Sequence, residues 1–235
     1  MATAYSPVRS RAVGSGRGIS GLAEAVSVAN LSRGTRLFDR GDPADRLYVL
    51  SDGEVKLEAV GPGGKHCLFH VVEPGEVFGE EALLGEQQRS YAAEVLEPAT
   101  VTIVPAAAAS RYADQHPEFW ASLAPQMRRR MLDLEEQIQW VSFWDVEQRI
   151  ARLILRWADS HEGTNGTAEM HLSQRDLAGM IGATRETTSS ALNRLQRDGV
   201  IEIKRRRVLL RSVEQLRLRA EGGDGALSRG KGAGD

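Results

Sequence analysis

The segment 173–211 constrains the fold more strongly than any other part of this sequence. Ser173 followed by Asp176 is typical of a capped helix start, and Gly182 is typical of a helix end. Thr184 can cap a second helix, whose buried side would follow at helical spacing as Thr188, Ala191, Leu192 and Leu195. Two helices joined by so short a turn predict a helix-turn-helix.

A basic hairpin follows the second helix. Two short runs of β-forming residues flank a row of four cations and predict two strands around a charged tip, the "wing" of a winged helix-turn-helix. The apolar residues are Val200, Ile201, Ile203, Val208, Leu209 and Leu210, and the cations are Lys204, Arg205, Arg206 and Arg207. Cations at such a tip are expected to meet phosphate.

The outward side of the second helix carries hydrogen-bonding side chains that suit a DNA major groove. Arg185 can bond a guanine with two donors, and Glu186 can accept from a cytosine amino group. We therefore expect double-stranded DNA as a partner. The candidate contact residues are Ser173, Gln174, Thr184, Arg185, Glu186, Thr187, Ser189, Ser190, Asn193, Lys204, Arg205, Arg206 and Arg207.

Charge is distributed unevenly along a chain whose formal net charge is only −2. Residues 171–211 hold nine Lys and Arg against four Asp and Glu, whereas acidic residues are in excess over 22–100. A charge run alone is usually a solvated loop, and a helix-turn-helix pattern alone matches many ordinary helical pairs. Their combination at the basic end of a near-neutral chain with an acidic body favours DNA binding.

The composition, with 41% hydrophobic and 26% charged residues, is that of a globular protein. No apolar run approaches the roughly 20 residues of a membrane helix, and the start has no apolar signal-peptide core. Cys67 is the only cysteine, which excludes disulfide frameworks and multi-cysteine metal sites within one chain. We expect a cytoplasmic protein without a membrane partner.

The chain as a whole is predicted to be of the α+β class. Residues 1–21 and 221–235 lack periodicity and are expected to be a disordered arm and tail. Between them we predict an antiparallel β-sandwich or jelly roll over 22–115, a dimerisation helix over 116–144 and the winged helix-turn-helix domain over 145–220. The clearest strands are 46–50, 54–60, 66–72, 91–96 and 100–104, with hairpin turns at Asp52-Gly53 and Pro62-Gly63-Gly64.

A row of apolar residues within 116–144 predicts a coiled-coil seam between two copies of the chain. The residues are Met127, Met131, Leu134, Ile138 and Val141, at heptad spacing. Packing of this row on the sandwich is the alternative. Arg130 at a g position and Glu135 at the following e position favour a parallel homodimer, because g meets the partner's e. Pro125 fits a helix start or a kink, and Asp145 is the expected cap of the next helix and the expected hinge.

The segment 78–90 has the pattern of a phosphate-binding cassette. Gly79 lets a ligand approach the backbone, and a short helix beginning near Glu80 offers amide hydrogens. Glu80 can accept from a sugar hydroxyl, while Arg89, followed by Ser90, can pair with an anionic phosphate.

These motifs together resemble the Crp/Fnr superfamily of bacterial transcription regulators over residues 31–218. The residues that carry the resemblance are Gly34, Gly41, Gly53, Pro74-Gly75, Phe78-Gly79-Glu80, Arg89-Ser90, Phe143, Asp145 and Arg185-Glu186-Thr187. The resemblance implies a cyclic-nucleotide-binding-like β domain that senses an effector, a palindromic operator and RNA polymerase as a partner.

The resemblance implies an effector site formed by Gly79, Glu80, Glu81, Ala82, Arg89, Ser90, Arg130 and Glu135. Leu134 and Glu135 stand where cyclic-AMP-binding members have two adjacent hydroxyl residues, while Arg130 with Glu135 resembles the pair that nitrogen-control relatives place around 2-oxoglutarate. Some relatives with a similar cassette need no ligand. Cyclic AMP, 2-oxoglutarate and no effector at all therefore stay open.

Other chemistries have less support in the sequence. The four cysteines of an iron-sulfur sensor and the Cys and His of a haem-type cassette are absent, so no metal site is expected. His66, Cys67 and His70 share one predicted strand and are assigned to packing and surface. A cyclic-nucleotide-controlled enzyme or non-DNA adaptor is the alternative class, but no nucleophile, metal or Walker constellation supports one.

Overall fold

The computed structural model describes residues 26–160, 169–170, 172–204 and 207–222. The chain divides into two compact units, the β unit within Ser10–Glu136 and, within Gln137–Asp235, the unit of the predicted winged helix-turn-helix, which is named the DNA-binding unit after that prediction. The predicted arm lies outside the described residues, as does the predicted tail except for its first two residues. An antiparallel sheet, a long helix and a helix-turn-helix follow one another along the chain, so the predicted fold class is confirmed.

Within its described residues, the β unit is built on antiparallel strands that pack around a main apolar cluster. The strands are β1 Ser27–Leu31, β2 Arg36–Phe38, β3 Arg46–Val60, β4 His66–Val72, β5 Val77–Phe78 and β6 Ala92–Pro105. Their order is β1-β6-β3-β4, with β2 also paired to β6 and β5 also paired to β3. Alternate residues of the two long strands point inward and are buried with the aromatic rings of Phe38, Tyr48 and Phe78.

The predicted hairpin at Asp52-Gly53 is wrong. Strand β3 runs through both residues, and its register against β6 shifts on either side of them. Gly53 has a φ of +84°, and a Cβ there would lie 2.2 Å from the carbonyl oxygen of Pro98. The dipeptide therefore bends one long strand where it passes close to another. The strands predicted at 91–96 and 100–104 are likewise one strand, β6.

The turn at Pro62-Gly63-Gly64 is confirmed as the connection between β3 and β4. Two helices complete the β unit and lead out of it: α1 Ala106–Gln115, which the sequence analysis did not predict, and α2 Pro117–Phe143, which continues through Pro125. Helix α2 supplies Phe119 and Leu123 to a second apolar cluster with α1.

The DNA-binding unit contains helices α3 Val146–Ser160, α4 Gln174–Ile181, α5 Arg185–Arg197 and α6 Val213–Ala220. Strands β7 Glu169–Met170, β8 Ile201–Lys204 and β9 Arg207–Leu210 form an antiparallel sheet in the order β7-β9-β8. The predicted cap of α3 is confirmed, because the Gln148 N–H donates to Asp145 at 2.9 Å. Strand β7 and helix α6 were not predicted. Within the described part of the chain, every helix is too short or too polar to cross a bilayer.

Replacing Gly53 by Ala tests the close approach of β3 and β6. We expect the free energy of unfolding to fall by more than about 2 kcal/mol, because the clash with Pro98 adds to the cost of a left-handed backbone, about 1–2 kcal/mol. Gly41→Ala is the matched control, since Gly41 has a φ of +92° and no heavy atom within 4 Å of a Cβ. Urea unfolding measures both variants, and equal losses would contradict the close approach.

Candidate sensor cassette and nucleic-acid interface

The cassette, residues 78–90, is built around Gly79. Strand β5 ends at Phe78, and a 3-10 helix, Glu80–Leu83, follows Gly79 directly. Gly79 has a φ of +76°, and a Cβ there would lie 2.9 Å from Nη1 of Arg89 and 3.0 Å from the ring of Tyr48. A side chain at this position would therefore push Arg89 away from the backbone.

Arg89 is the cation of the cassette, and its side chain is 0% exposed. Its Nη1 donates to the Gly79 carbonyl at 3.0 Å and to Oε2 of Glu81 at 3.2 Å. Its Nη2 donates to the Arg46 carbonyl, and the guanidinium lies 4.4 Å from the ring centre of Phe38. Arg89, which was predicted to bind a phosphate, is thus already bound by protein groups on several sides.

Glu81 is the acceptor that Arg89 and Ser90 share. Oε1 of Glu81 accepts from the Ser90 hydroxyl at 2.8 Å and from the Ser90 N–H at 3.2 Å. Glu81 is 4% exposed, so these bonds are protected from water. The Ala82 N–H donates to the Gly79 carbonyl at 3.2 Å and closes the 3-10 turn.

Glu80, the predicted acceptor for a sugar hydroxyl, is also engaged. Oε1 of Glu80 accepts from Nη1 of Arg130 at 3.0 Å, and Oε2 accepts from the Tyr91 hydroxyl at 3.3 Å. That hydroxyl itself accepts from the Gly79 N–H at 3.1 Å. Burial, followed by the charges of Glu80 and Glu81, raises the pKa of Tyr91 far above its ordinary value, so the hydroxyl stays protonated and donates.

Within one chain, Arg130 and Glu135 contact different residues, and their pairing across two copies of the chain stays a prediction. Arg130 is 9% exposed and donates to Glu80 and to the carbonyl of Val77 within the same chain. Glu135 instead lies 3.6 Å from Arg128, and both of these side chains are more than half exposed. Arg130, on α2, is therefore a second buried cation in contact with the cassette. The sequence pattern missed its partner because the contact joins residues 50 positions apart.

Three residues of β4 could suggest a metal site, but each has a different environment. Nε2 of His70 lies 2.9 Å from Glu76, and Nδ1 of His66 lies 3.4 Å from Glu58. Cys67 is an exposed free thiol. Among the residues that the structure describes, no group of three or more His, Cys, Asp or Glu side chains could hold a metal ion.

In the DNA-binding unit, the predicted caps fix where α4 and α5 begin. The Asp176 N–H donates to the Ser173 hydroxyl at 3.2 Å, and the Thr187 N–H donates to the Thr184 hydroxyl at 3.2 Å. The predicted inner face of α5 is confirmed, because each of its members is 0% exposed: Thr188, Ala191, Leu192 and Leu195.

That inner face turns the remaining residues of α5 outward. Ser189 is half-buried, whereas the other outward residues, Arg185, Glu186, Thr187, Ser190 and Asn193, are exposed. The pKa of Glu186 is lowered by its own backbone N–H and then by the Thr184 hydroxyl. Glu186 is therefore ionised near neutral pH and acts as an acceptor.

A groove of about 390 Å³ brings several predicted contact residues together. It lies between the starts of α4 and α5 and the wing strands β8 and β9. Its polar lining consists of Ser173, Gln174, Arg175, Arg185, Lys204 and Arg207. Arg175 was not among the predicted residues, although it is an exposed cation beside them. Arg205 and Arg206, at the predicted wing tip, lie outside the described residues.

A network of ion pairs connects α5 to helices α3 and α6. Glu147, on α3, accepts from Arg194 of α5 at 2.8 Å and from Arg219 of α6 at 2.7 Å. Arg219 also donates to Asp198, just after α5, at 2.7 Å. Arg149 of α3 donates to the Ile181 carbonyl at the end of α4 at 2.6 Å. Helices α3 and α6 therefore fix the orientation of the helix-turn-helix.

Comparisons with known proteins identify the family. Residues 28–116 match the model of a cyclic nucleotide-binding domain, and residues 148–219 match that of a Crp-like helix-turn-helix domain. A CRP-like cAMP-activated global transcriptional regulator of Mycobacterium tuberculosis is 30% identical over 206 residues, covering 86% of this chain and 92% of that relative. The chain belongs to the Crp/Fnr family of transcription regulators. Members of the family are not enzymes.

Two further comparisons support this assignment of the Crp/Fnr regulator. The transcriptional regulator SdrP of Thermus thermophilus is 29% identical over 193 residues, covering 81% of this chain and 88% of SdrP. A solved CRP-family transcriptional regulator from Thermus thermophilus superposes with a TM-score of 0.71 at 29% identity, covering 82% of this chain and 96% of that one. The cassette lies in the first matched domain and the groove in the second.

Proposed function

We propose that this Crp/Fnr regulator binds a palindromic operator as a homodimer and controls transcription through RNA polymerase in the cytoplasm. The observation that carries the proposal is the groove of the DNA-binding unit, where the first turn of α5 and the wing cations line one surface. In this arrangement Arg185 and Glu186 contact base edges, and Lys204 and Arg207 contact phosphates. Ser189, Ser190 and Asn193 continue the edge that faces the major groove, and Arg205 and Arg206 contact phosphates together with the other wing cations.

The proposed dimer rests on the exposed apolar row of α2. The exposed fractions are 54% for Met131, 39% for Leu134, 67% for Ile138 and 55% for Val141. Met127 packs within its own β unit, so the proposed seam begins at Met131 and not at Met127. A second copy of the chain would cover this row and relate two recognition helices by a two-fold axis. Half-sites about one helical turn apart then follow.

The cassette is the proposed regulatory site. A cyclic nucleotide is the first candidate effector, supported by the matched domain and by the relative whose name states activation by cAMP. Such a ligand would have to replace Glu81 at Arg89 and Ser90 before its phosphate could bind. The 2-oxoglutarate alternative rests on Arg130 and Glu135, and such a ligand would have to replace Glu80 at Arg130. The cyclic nucleotide, 2-oxoglutarate and the ligand-independent form are therefore the candidate modes of regulation.

The dimer seam is tested by Leu134→Asp and Ile138→Asp. Each change should produce monomers in sedimentation and abolish binding to the operator, because like charges would face each other in a buried contact. Leu218→Asp is the matched control, since Leu218 is an apolar residue of α6 that is 43% exposed and does not belong to the row on α2. A dimer that persists in both seam variants would contradict the assignment.

The DNA interface is tested by Arg185→Ala and Lys204→Ala. We expect Arg185→Ala to lose about 1–3 kcal/mol of specific binding and to relax the choice of one base pair in each half-site. Lys204→Ala should weaken binding to every sequence similarly and lower the slope of log K against log salt by about one. Both are measured on a library of duplexes at two salt concentrations.

Arg197→Ala is the control for the same helix, because Arg197 lies in its last turn, away from the groove. It should leave base preference unchanged. If Arg185→Ala lowers specific and non-specific affinity equally while Lys204→Ala alters base preference, the two surfaces have been assigned the wrong way round.

A further inference from the structure

Three hydrogen-bond donors of the cassette converge on one carboxylate of the protein itself. The Ser90 hydroxyl and the Ser90 N–H reach Oε1 of Glu81 at 2.8 and 3.2 Å, and Nη1 of Arg89 reaches Oε2 at 3.2 Å. A guanidinium, a hydroxyl and a backbone amide that point at one spot form an anion site. In this structure Glu81 occupies that site.

The remaining partners of Arg89 show why an anion is needed there. Its other acceptors are the neutral carbonyls of Gly79 and Arg46, and its face rests on the Phe38 ring. Because the Arg89 side chain is 0% exposed, water does not solvate its charge. A buried charge requires a charged partner, which must be either Glu81 or a bound anion.

The local backbone directs Glu81 to this position. The 3-10 turn after Gly79 is closed by the Ala82 N–H on the Gly79 carbonyl at 3.2 Å and the Leu84 N–H on the Glu81 carbonyl at 3.1 Å. In this turn Glu81 faces Arg89, while the adjacent Glu80 faces Arg130. Two neighbouring carboxylates thus neutralise two buried cations, and the cassette holds no uncompensated charge that would attract an anionic ligand.

We propose that Glu81 is a tethered anion that takes the place of an effector phosphate and holds the cassette in its occupied arrangement. A group attached by so short a linker acts at an effective concentration of about the millimolar range. A free anion that makes only the contacts of Glu81 therefore competes poorly below that concentration, and DNA binding does not depend on a ligand. This inference rests on the proposed function, because it assigns the regulation of the same cassette.

The test compares the wild type with Glu81→Ala, using Glu86→Ala as the matched control. Glu86 is an exposed carboxylate of the same cassette. Cyclic AMP and inorganic phosphate are added separately, and their affinities are measured by calorimetry and thermal shift. We expect Glu81→Ala to bind cyclic AMP at least about tenfold more tightly than the wild type, about 1.4 kcal/mol. The control should behave as the wild type.

Each arm of the experiment has a defined outcome. If Glu81→Ala gains affinity for both probes, the vacated site binds any anion. If it gains affinity for cyclic AMP alone, the site binds a nucleotide. Either result supports the proposal. If the wild type binds cyclic AMP as tightly as Glu81→Ala, or if Glu81→Ala gains affinity for neither probe, the proposal is overturned.

A second variant keeps the test decisive if Glu81→Ala does not fold. Glu81→Gln keeps the size of the side chain and removes its charge, so a gain in cyclic-AMP affinity over the wild type supports the proposal and an unchanged affinity overturns it. Operator binding by the ligand-free wild type is measured on the same preparations. This measurement separates a failure of the proposed function from a failure of the tethered-anion proposal. A wild type that binds no DNA under any condition contradicts the proposed function, whereas DNA binding that appears only with cyclic AMP contradicts the tethered anion.

Discussion

The buried ion pair between Arg89 and Glu81 is the interaction on which the β unit depends. Removing one partner of a buried pair costs about 3–5 kcal/mol, because the other charge is left without compensation. The surrounding structure is arranged to keep the pair together. Gly79 allows the backbone to reach Arg89, the start of β3 offers the Arg46 carbonyl, and Phe38 covers the guanidinium face.

The same cassette is joined directly to the helix that carries the proposed dimer seam. Arg130, on α2, binds Glu80 and the Val77 carbonyl, and Glu80 shares the Tyr91 hydroxyl with the Gly79 N–H. A rearrangement at Gly79 therefore changes the partners of a side chain on α2. Arginine side chains have a similar role in the DNA-binding unit. Arg149 donates to a backbone carbonyl at the end of α4, and Arg219 donates to the carboxylates of Glu147 and Asp198 beside α5. In both units, guanidinium groups set the positions of the functional elements.

The sequence predicts best where a local rule determines the structure. The caps at Ser173, Thr184 and Asp145 need only residues three positions away, and the inner face of α5 follows from helical periodicity. The turn expected at Asp52-Gly53 fails because a glycine with positive φ serves equally in a hairpin and in a bend within a long strand. Which of the two occurs depends on β6, about forty residues away in the sequence.

The contacts of the cassette show the same limit. The residue types of Gly79, Glu80, Arg89 and Ser90 indicate an anion site, and the structure does bring them together. The sequence does not reveal that Glu81 fills the site or that Arg130 reaches Glu80, because both depend on side-chain directions set by tertiary packing. Helix α1 and strand β7 were missed for a related reason, since their stability comes from packing and not from a local signal.

Selection of bound duplexes from a random library by the ligand-free protein tests the central claim most directly, because it examines sequence-specific binding, dimer symmetry and ligand independence together. We predict enrichment of an inverted repeat whose half-sites are centred about 10 base pairs apart or a multiple of that distance, with no change when cyclic AMP is added. Enrichment of such a repeat only in the presence of cyclic AMP, or no enrichment of any sequence, would contradict the account.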